Sequence, residues 1–354
     1  MSAAIPGVSI LLPVYFPSLS MEALQLLRRA LESVLDQDYA GSLEIVLVDD
    51  GSPTPLHSVA DELGAASSAV RWVRLARNAG IVSALNAGIG AARQPLIARL
   101  EADDRWLPGK LEAQVLQFLA DPDLSITATG MARVRPDGVP IDTHVRPGDW
   151  TSILRFFVEG GCPFPHGSVM ARREVYHLLG GYPHDATVQH CEDYALWGTW
   201  LRFFKPAMVE AVLYEYRVSG TPLSALHAAQ QQAASQIVRR RFADLDLAEV
   251  LPWALPELAE ALGAPLHAAG RLAYALWQHP GAAFSLPETA LKPLAAMLPD
   301  RTLEPVDTAP RGGWRLGCRR APRPSRVGSL RSLSAESITV PSVPTTVRHL
   351  PPGV

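Results

Sequence analysis

Residues 95–104 read Pro-Leu-Ile-Ala-Arg-Leu-Glu-Ala-Asp-Asp, an apolar segment that runs directly into three carboxylates. The apolar part predicts a buried strand, and in open α/β sheets ligands bind at the carboxyl ends of the strands. Carboxylates at such an edge repel one another unless a cation lies among them, and oxygen ligands of this kind suit Mg²⁺ or Mn²⁺. The stretch therefore indicates an α/β sheet with a candidate cation site near Asp103 and Asp104, and a solvated turn or a helix cap is the alternative.

Strand and helix patterns alternate over residues 8–104. This alternation predicts right-handed βαβ units and a mainly parallel sheet, so the expected fold class is α/β. A second buried strand ends in Asp49 and Asp50, followed by a Gly-Ser turn, at the same predicted sheet edge. The strands are predicted near 8–14, 43–49, 70–75 and 95–100, and the helices near 20–36, 55–64 and 80–92.

Three changes in pattern divide the rest of the chain. Residues 105–224 show a looser mixture of strand and helix patterns, which fits a second half of the same domain 1–224. Residues 225–300 are rich in Ala, Leu and Gln at helical spacing and predict a small helical appendage. Residues 301–354 are rich in Arg, Pro and Ser, and we expect them to be a disordered tail because they bury too little apolar surface to offset the ordering entropy.

Composition excludes several classes of protein. The hydrophobic content of 48% and the charged content of 19% are typical of a soluble globular protein. The net charge of −3 gives no general attraction to nucleic acid, so no nucleic-acid partner is predicted. Three scattered cysteines predict neither a disulfide framework nor a zinc site. With no signal peptide or membrane span in the pattern, we expect a cytoplasmic protein. Its basic tail is either passive or a contact to an acidic partner or to anionic lipid at the inner face of the membrane.

Six short motifs, in this order, resemble the family 2 glycosyltransferases, which are bacterial-type inverting enzymes that use nucleotide sugars. The resemblance covers about residues 8–224. It implies a GT-A fold with a single nucleotide-binding sheet flanked by helices, a nucleotide-binding half over 8–104 and an acceptor-side half over 105–224. The motifs are Pro13-Val14-Tyr15, Val48-Asp49-Asp50-Gly51-Ser52, Asn78-Ala79-Gly80 with Leu85-Asn86-Ala87-Gly88, Glu101-Ala102-Asp103-Asp104, Gly180-Gly181-Tyr182-Pro183 and Glu192-Asp193.

The resemblance also implies roles for individual residues. Asp193 would be the catalytic base, at the start of a helix whose N-terminus stabilises an ionised carboxylate. Asp103 and Asp104 would hold Mg²⁺ or Mn²⁺, although capping of a helix is the alternative for one of this pair and for the acids near residue 50. The nucleotide sugar would be bound by Pro13, Val14, Tyr15, Asp49, Asp50, Asn78, Gly80, Asn86, Glu101, Ala102 and Asp103.

The sequence departs from the family pattern at three positions. Glu101 stands where the family has Asp, and Phe16 follows Tyr15 where Asn is common. Ser219 occupies the place of a His that often completes the metal shell, so the third protein ligand stays open, with His166 and His190 as other possibilities.

The sequence therefore predicts an inverting glycosyltransferase that moves a sugar from a nucleotide-sugar donor to an acceptor hydroxyl, with a UDP-sugar favoured. The expected acceptor is a saccharide or lipid-linked saccharide, in cell-surface polysaccharide or glycolipid biosynthesis. Two alternatives stay open. One is a sugar nucleotidyltransferase, which also has a GT-A-like sheet, and the other is a non-catalytic scaffold that has kept the fold.

Overall fold

One large mixed sheet with helices on both faces forms the centre of the computed structural model, which describes residues 4–146, 148–218, 228–242, 247–306 and 313–318. The α/β prediction is confirmed. Ser219 and residues 319–354 lie outside the described residues. The strands are β1 (Val8–Val14), β2 (Leu43–Asp49), β3 (Val70–Arg74), β4 (Leu96–Arg99), β5 (Arg105–Trp106), β6 (Leu124–Val134), β7 (Pro140–His144), β8 (Met170–Arg172), β9 (Lys205–Arg217), β10 (Ala283–Phe284), β11 (Arg301–Val306) and β12 (Gly313–Cys318).

The strand order brings the predicted motifs to one edge. Among the described residues the large sheet runs β3-β2-β1-β4-β8-β6-β9-β5, with β7 paired to β6. Strand β1 is parallel to β2 and β4, and β2 is parallel to β3, as the βαβ pattern predicts. Val14 is in register with Asp49, and Leu11 with Arg99. The loops that follow β1, β2 and β4 therefore begin side by side.

Helices cover both faces of this sheet. The segment Leu56–Ala69, predicted as a helix near 55–64, forms 3₁₀ turns instead, because Val59 and Gly64 leave helical backbone angles and Gly64 has φ +67°. The helices are α1 (Met21–Leu35), α2 (Ile81–Ala91), α3 (Lys110–Ala120), α4 (Trp150–Glu159), α5 (Arg173–Leu179), α6 (Glu192–Phe203), α7 (Ala228–Arg241), α8 (Leu247–Leu262), α9 (Leu266–Gln278) and α10 (Glu288–Met297).

Two apolar clusters bury the two faces of the sheet. On one face, α1 contributes Leu24, Leu27 and Leu31, which recur at the helical spacing that predicts an amphipathic helix. On the other face, Trp197 and Trp200 of α6 are fully buried. The sheet is thus held between a layer containing α1 and α3 and a layer containing α2, α4 and α6.

The C-terminal region is more closely joined to this core than an appendage. Helices α7 to α10 lie within the region predicted to be helical, and Leu251 and Leu255 of α8 belong to the same buried cluster as Trp197. The segment 301–354, expected to be disordered, contains strands β11 and β12 in its described part, paired in a small antiparallel sheet with β10. The average composition of the segment predicts disorder, but Trp314 and Leu316 concentrate apolar surface locally and pack on the core. None of the described helices has the length and apolar character needed to cross a lipid bilayer.

One buried residue opposes the stability of the fold. Lys110 is the first residue of α3 and is fully buried, with its Nζ donating to Oε1 of Gln114 at 2.6 Å and lying 4.0 Å from the ring centre of Trp106. Burial lowers the pKa of Lys110 well below its usual range. A positive charge at a helix N-terminus is also unfavourable.

We predict that Lys110→Met removes a pH dependence of stability. The unfolded chain binds a proton at this lysine below about pH 10, whereas the folded chain resists binding it, so stability is lost as the pH falls. Between pH 9 and pH 7.5 the wild-type free energy of unfolding should fall by up to about 1.4 kcal/mol per pH unit more than that of the variant. Urea unfolding measures this difference.

Lys292→Met is the matched control, since Lys292 also lies near a tryptophan, 5.8 Å from the ring of Trp253, but is exposed. Its unfolding curve should follow the wild type at each pH. Parallel pH profiles for Lys110→Met and wild type would contradict the prediction.

Candidate active site

A cleft of about 490 Å³ opens beside the ends of β1, β2 and β4. It brings together residues from four motifs that are far apart in the sequence. Its lining combines apolar side chains with carboxylates and the side chain of Asn78. The lining residues predicted from sequence are Pro13, Val14, Tyr15, Asp50, Asn78, Gly80, Glu101, Ala102 and Asp103, and those not predicted are Phe16, Ala23, Leu26, Ile81 and Ala84.

Asp50 fixes one wall of this cleft. Its two carboxylate oxygens accept hydrogen bonds from the backbone N–H groups of Ala79, at 2.8 Å, and Gly80, at 2.9 Å. The preceding turn passes so close to Arg77 that a Cβ on Gly51 would lie 2.2 Å from its carbonyl carbon, and Gly51 has φ +71°. Only glycine fits this approach. Asp50 therefore holds the Asn78–Gly80 loop in place.

Asp49, predicted to bind the nucleotide, does not line the cleft. Its side chain is 2% exposed and accepts hydrogen bonds from the N–H groups of Ser52, at 2.8 Å, and Leu56, at 3.1 Å, and it pairs with Arg74. Burial alone would raise its pKa, but these hydrogen bonds and the arginine lower it. The contacts are those of a carboxylate that caps the 3₁₀ segment, the alternative open from sequence.

The acidic run after β4 is divided between two locations. Glu101 and Asp103 line the cleft, and burial together with the charge of Glu101 raises the pKa of Asp103. Asp104 is buried and does not line this cleft, and it accepts hydrogen bonds from the hydroxyl of Tyr214 and from the N–H of Arg217, at 2.8 Å. The two predicted metal ligands thus have different surroundings.

Asn86 connects two of the family motifs to each other and does not line the cleft. Its amide donates to the carbonyl of Tyr182 at 2.9 Å and accepts from the N–H of Tyr182 at 2.8 Å. Gly181, with φ +77°, passes so near that a Cβ there would lie 2.3 Å from Oδ1 of Asn86. The side chain therefore clamps the Gly180–Pro183 turn against α2.

Asp193 also lies outside the cleft lining, at the start of α6. Its Oδ1 accepts from the N–H of Tyr194 at 2.7 Å, and the thiol of Cys162 lies 3.6 Å from Oδ2. Burial and the charge of Glu192 raise the pKa of Asp193 to about 6. Just before this helix, His190 has φ +66°, a conformation that a residue with a side chain rarely adopts. Asp193 is thus a carboxylate that titrates close to neutral pH.

A chain of side chains links the cleft to the region of Asp193. His166 places Nδ1 3.7 Å from Oε1 of Glu101, and its Nε2 lies 2.7 Å from the hydroxyl of Tyr182. The charge of Asp193 adds to burial in raising the pKa of that tyrosine. His166, considered from sequence as a third metal ligand, therefore faces Glu101. Burial lowers its pKa well below the usual range, so the imidazole is neutral.

Sequence reasoning missed the part of the cleft that α1 supplies. Ala23 and Leu26 are three residues apart on the helix that follows the β1 motif. The sequence pattern predicts the helix, but it does not predict that the first turns of α1 line the cleft. The sequence pattern places Arg99 in a strand but does not predict that it is buried and paired with Glu101.

The chemistry of the donor set decides whether a divalent cation fits this cleft. Glu101 and Asp103 present hard oxygen ligands, and the pKa of Asp103 is raised, which a bound cation would reverse. Among the described residues, however, no three His, Cys, Asp or Glu side chains form a cluster suited to hold a metal. The residues fit a cation held by few protein ligands and shared with substrate phosphates.

We predict that Asp49→Ala destabilises the fold, because it leaves Arg74 and two backbone N–H groups without their acceptor. The expected loss is about 3 kcal/mol in the free energy of unfolding, measured by urea denaturation. Asp142→Ala is the control, since Asp142 pairs with Arg133 at an exposed position and should cost less than about 1 kcal/mol. Wild-type stability in Asp49→Ala would show that this carboxylate does not hold the loop.

Comparison with known proteins identifies the domain. The family model for glycosyl transferase family 2 matches residues 9–179. The chain is 31% identical to the amylovoran biosynthesis glycosyltransferase AmsE of Erwinia amylovora over 179 residues, 48% of this chain and 62% of AmsE. It is 28% identical to the Bacillus subtilis protein named "Putative glycosyltransferase EpsE" over 221 residues, 60% of this chain and 73% of EpsE.

Among solved structures, that of S. aureus TarS 1–349 in complex with UDP-GlcNAc has a TM-score of 0.49 and 15% sequence identity, covering 67% of this chain and 73% of TarS. The motifs quoted from the sequence up to Gly180 fall within the span that the family model matches or directly beside it. Residues 9–179 therefore form a glycosyltransferase domain of family 2.

Proposed function

We propose that the protein transfers a sugar from a nucleotide-sugar donor to an acceptor hydroxyl with inversion at the anomeric carbon. The observation that carries this proposal is the convergence of nine residues, predicted from four separate motifs, on one cleft lined by apolar side chains and three carboxylates. A nucleotide needs both kinds of surface, since its base is planar and apolar on its faces while its ribose and phosphates are polar.

The base of the nucleotide lies, in this proposal, against Val14, Tyr15 and the apolar residues of α1. Asp50 shapes the adjoining wall through the Asn78–Gly80 loop. The hydroxyl groups of the donor then reach Glu101 and Asp103, which also line the cleft. The order of these contacts matches the order of the strands, β2, β1 and β4.

Asp103 is the residue that we propose to hold Mg²⁺ or Mn²⁺, because it lines the cleft. Asp104, the second predicted ligand, would support the site from behind through its bonds to Tyr214 and Arg217. A bound divalent cation would neutralise the charge that develops on the diphosphate leaving group.

Asp193 is the proposed general base. With a pKa of about 6, Asp193 is ionised in most molecules at pH 7, and the ionised carboxylate is basic enough to accept a proton. The acceptor hydroxyl gives its proton to Asp193, and its oxygen forms a bond to the anomeric carbon. The bond from that carbon to the diphosphate breaks at the same time, and the nucleoside diphosphate leaves with the electron pair.

The biological setting stays a proposal of the same kind. AmsE is named for the biosynthesis of amylovoran, and we propose a corresponding role in cell-surface polysaccharide or glycolipid assembly, with a saccharide or lipid-linked saccharide as acceptor. Peripheral contact of the basic tail with the membrane and a cytoplasmic location belong to this proposal.

We predict metal-dependent binding of one nucleoside diphosphate to the cleft. Calorimetric titration of UDP, GDP and dTDP with and without Mn²⁺ measures it. Asp103→Asn should weaken the Mn²⁺-dependent binding by at least about tenfold, because one carboxylate ligand is lost. Asp104→Asn should act first on stability, since its two oxygens hold Tyr214 and Arg217.

Failure of the folded wild-type protein to bind any of the three nucleotides would contradict the proposed donor site and favour the scaffold alternative. Formation of pyrophosphate from a nucleoside triphosphate and a sugar phosphate would instead identify a nucleotidyltransferase. An equal loss of metal-dependent binding in Asp104→Asn, without loss of stability, would assign the metal to both carboxylates.

We predict that kcat/KM for the acceptor rises with pH through about 6 and then levels off, because Asp193 must be ionised to accept a proton. Asp193→Asn should lower kcat by about 10²–10⁴-fold while nucleotide binding stays unchanged. Initial rates of sugar transfer at a series of pH values, with titration of the nucleotide as the binding control, test both statements.

Two neighbours should move this inflection in opposite directions. Glu192→Gln removes a like charge and should lower the apparent pKa, whereas Cys162→Ala removes a hydrogen-bond donor to the carboxylate and should raise it. An inflection that neither substitution moves, or near-wild-type turnover in Asp193→Asn, would remove Asp193 from the mechanism.

A further inference from the structure

A buried arginine lies directly behind the carboxylates of the cleft. Arg99 is the last residue of β4 and is 1% exposed, whereas the other three residues of that strand are apolar. Burying a guanidinium group removes it from water at a large cost in free energy, which the packing of a strand does not require. The position of Arg99 therefore calls for an explanation beyond the fold.

The contacts of Arg99 lead to the cleft. Nη2 donates to Oε1 of Glu101 at 2.6 Å, and Nη1 donates to the carbonyl oxygens of Leu100 and, at 3.4 Å, Leu11. Among the described residues, Nε has no hydrogen-bond partner. The guanidinium group thus makes two hydrogen bonds to backbone carbonyls and one to a carboxylate. That carboxylate belongs to Glu101, a residue of the proposed donor site.

The arrangement around Glu101 is asymmetric. Oε1 receives the hydrogen bond from Arg99 and faces Nδ1 of His166 at 3.7 Å. Arg99 is the cation within hydrogen-bond distance of Glu101 among the described residues, at 2.6 Å, whereas His166 lies farther away. Both contacts use the same oxygen. Within the described parts of the chain Oε2 accepts no hydrogen bond, so it can accept one from a bound molecule.

We propose that Arg99 is a positioning residue for the donor, which holds Glu101 so that its free oxygen accepts a hydrogen bond from a ribose hydroxyl of the nucleotide. This proposal rests on the proposed function, since it requires a nucleotide in the cleft. It also explains why glutamate replaces aspartate at the first position of the acidic run, since the longer side chain reaches both Arg99 and the cleft.

Nucleotides with and without ribose hydroxyl groups test this proposal directly. Calorimetric titration of UDP and 2′,3′-dideoxy-UDP in the presence of Mn²⁺ gives a discrimination ratio, defined as the dissociation constant of the dideoxy compound divided by that of UDP. The wild-type ratio should be about tenfold or more, the effect expected when a positioned hydrogen bond to a charged group is lost. Arg99→Met should reduce the ratio to near one while changing the affinity for the dideoxy compound little.

If Arg99 had only a structural role, Arg99→Met would weaken the binding of UDP and of the dideoxy compound equally. Arg99→Lys, which keeps the charge, should restore part of the ratio. In a Glu101→Gln background, Arg99→Met should have no further effect on the ratio, because the two residues act as a pair. Arg105→Met is the matched control, since Arg105 pairs with Glu215 at an exposed position and should leave the ratio unchanged.

The outcomes are separable. If the wild-type protein discriminates and Arg99→Met is folded with the same ratio, the positioning role is wrong while the donor site stands. If Arg99→Met does not fold, the ratios of Arg99→Lys and Glu101→Gln decide, and wild-type ratios in both overturn the proposal. If the wild-type protein binds UDP, GDP and dTDP in no condition, the donor site fails and the role of Arg99 fails with it.

Discussion

Asp50 directly follows β2, and its carboxylate accepts two hydrogen bonds from Ala79 and Gly80, in the loop after β3. These bonds join the ends of the two neighbouring strands. A loop after a parallel strand has no strand partner of its own, so its N–H groups need acceptors from elsewhere. Asp50 supplies them and thereby holds the loop that brings Asn78 and Gly80 into the cleft lining. This part of the lining depends on that one carboxylate.

Carboxylates also hold backbone groups at other strand ends. Asp49 and Asp104 each use both oxygens to hold backbone or a tyrosine, and neither lines the cleft. Their neighbours in sequence, Asp50 and Asp103, do line it. Each acidic pair thus has one residue that lines the cleft, and of these Asp50 also holds the Asn78–Gly80 loop.

The sequence was sufficient to predict the βαβ half, because apolar strands and amphipathic helices carry strong periodic signals. It was also sufficient to predict nine residues of the cleft lining, through the motifs. It was not sufficient to separate Asp49 from Asp50 or Asp103 from Asp104, since adjacent residues of one type differ only in their partners. The strands of the C-terminal region were missed because composition averages over a segment, whereas Trp314 and Leu316 act locally.

The shared core of α6 and α8 has a consequence for synthesis on the ribosome. Trp197 and Phe203 of α6 share one buried cluster with leucines from residues 247–258, Phe203 packs on Tyr274, and Arg202 donates to Asp300 at 2.8 Å. The nascent chain therefore exposes an apolar face of α6 until these later residues emerge from the exit tunnel. During that interval the intermediate is prone to aggregation, and chaperones that bind apolar surface have a natural target there.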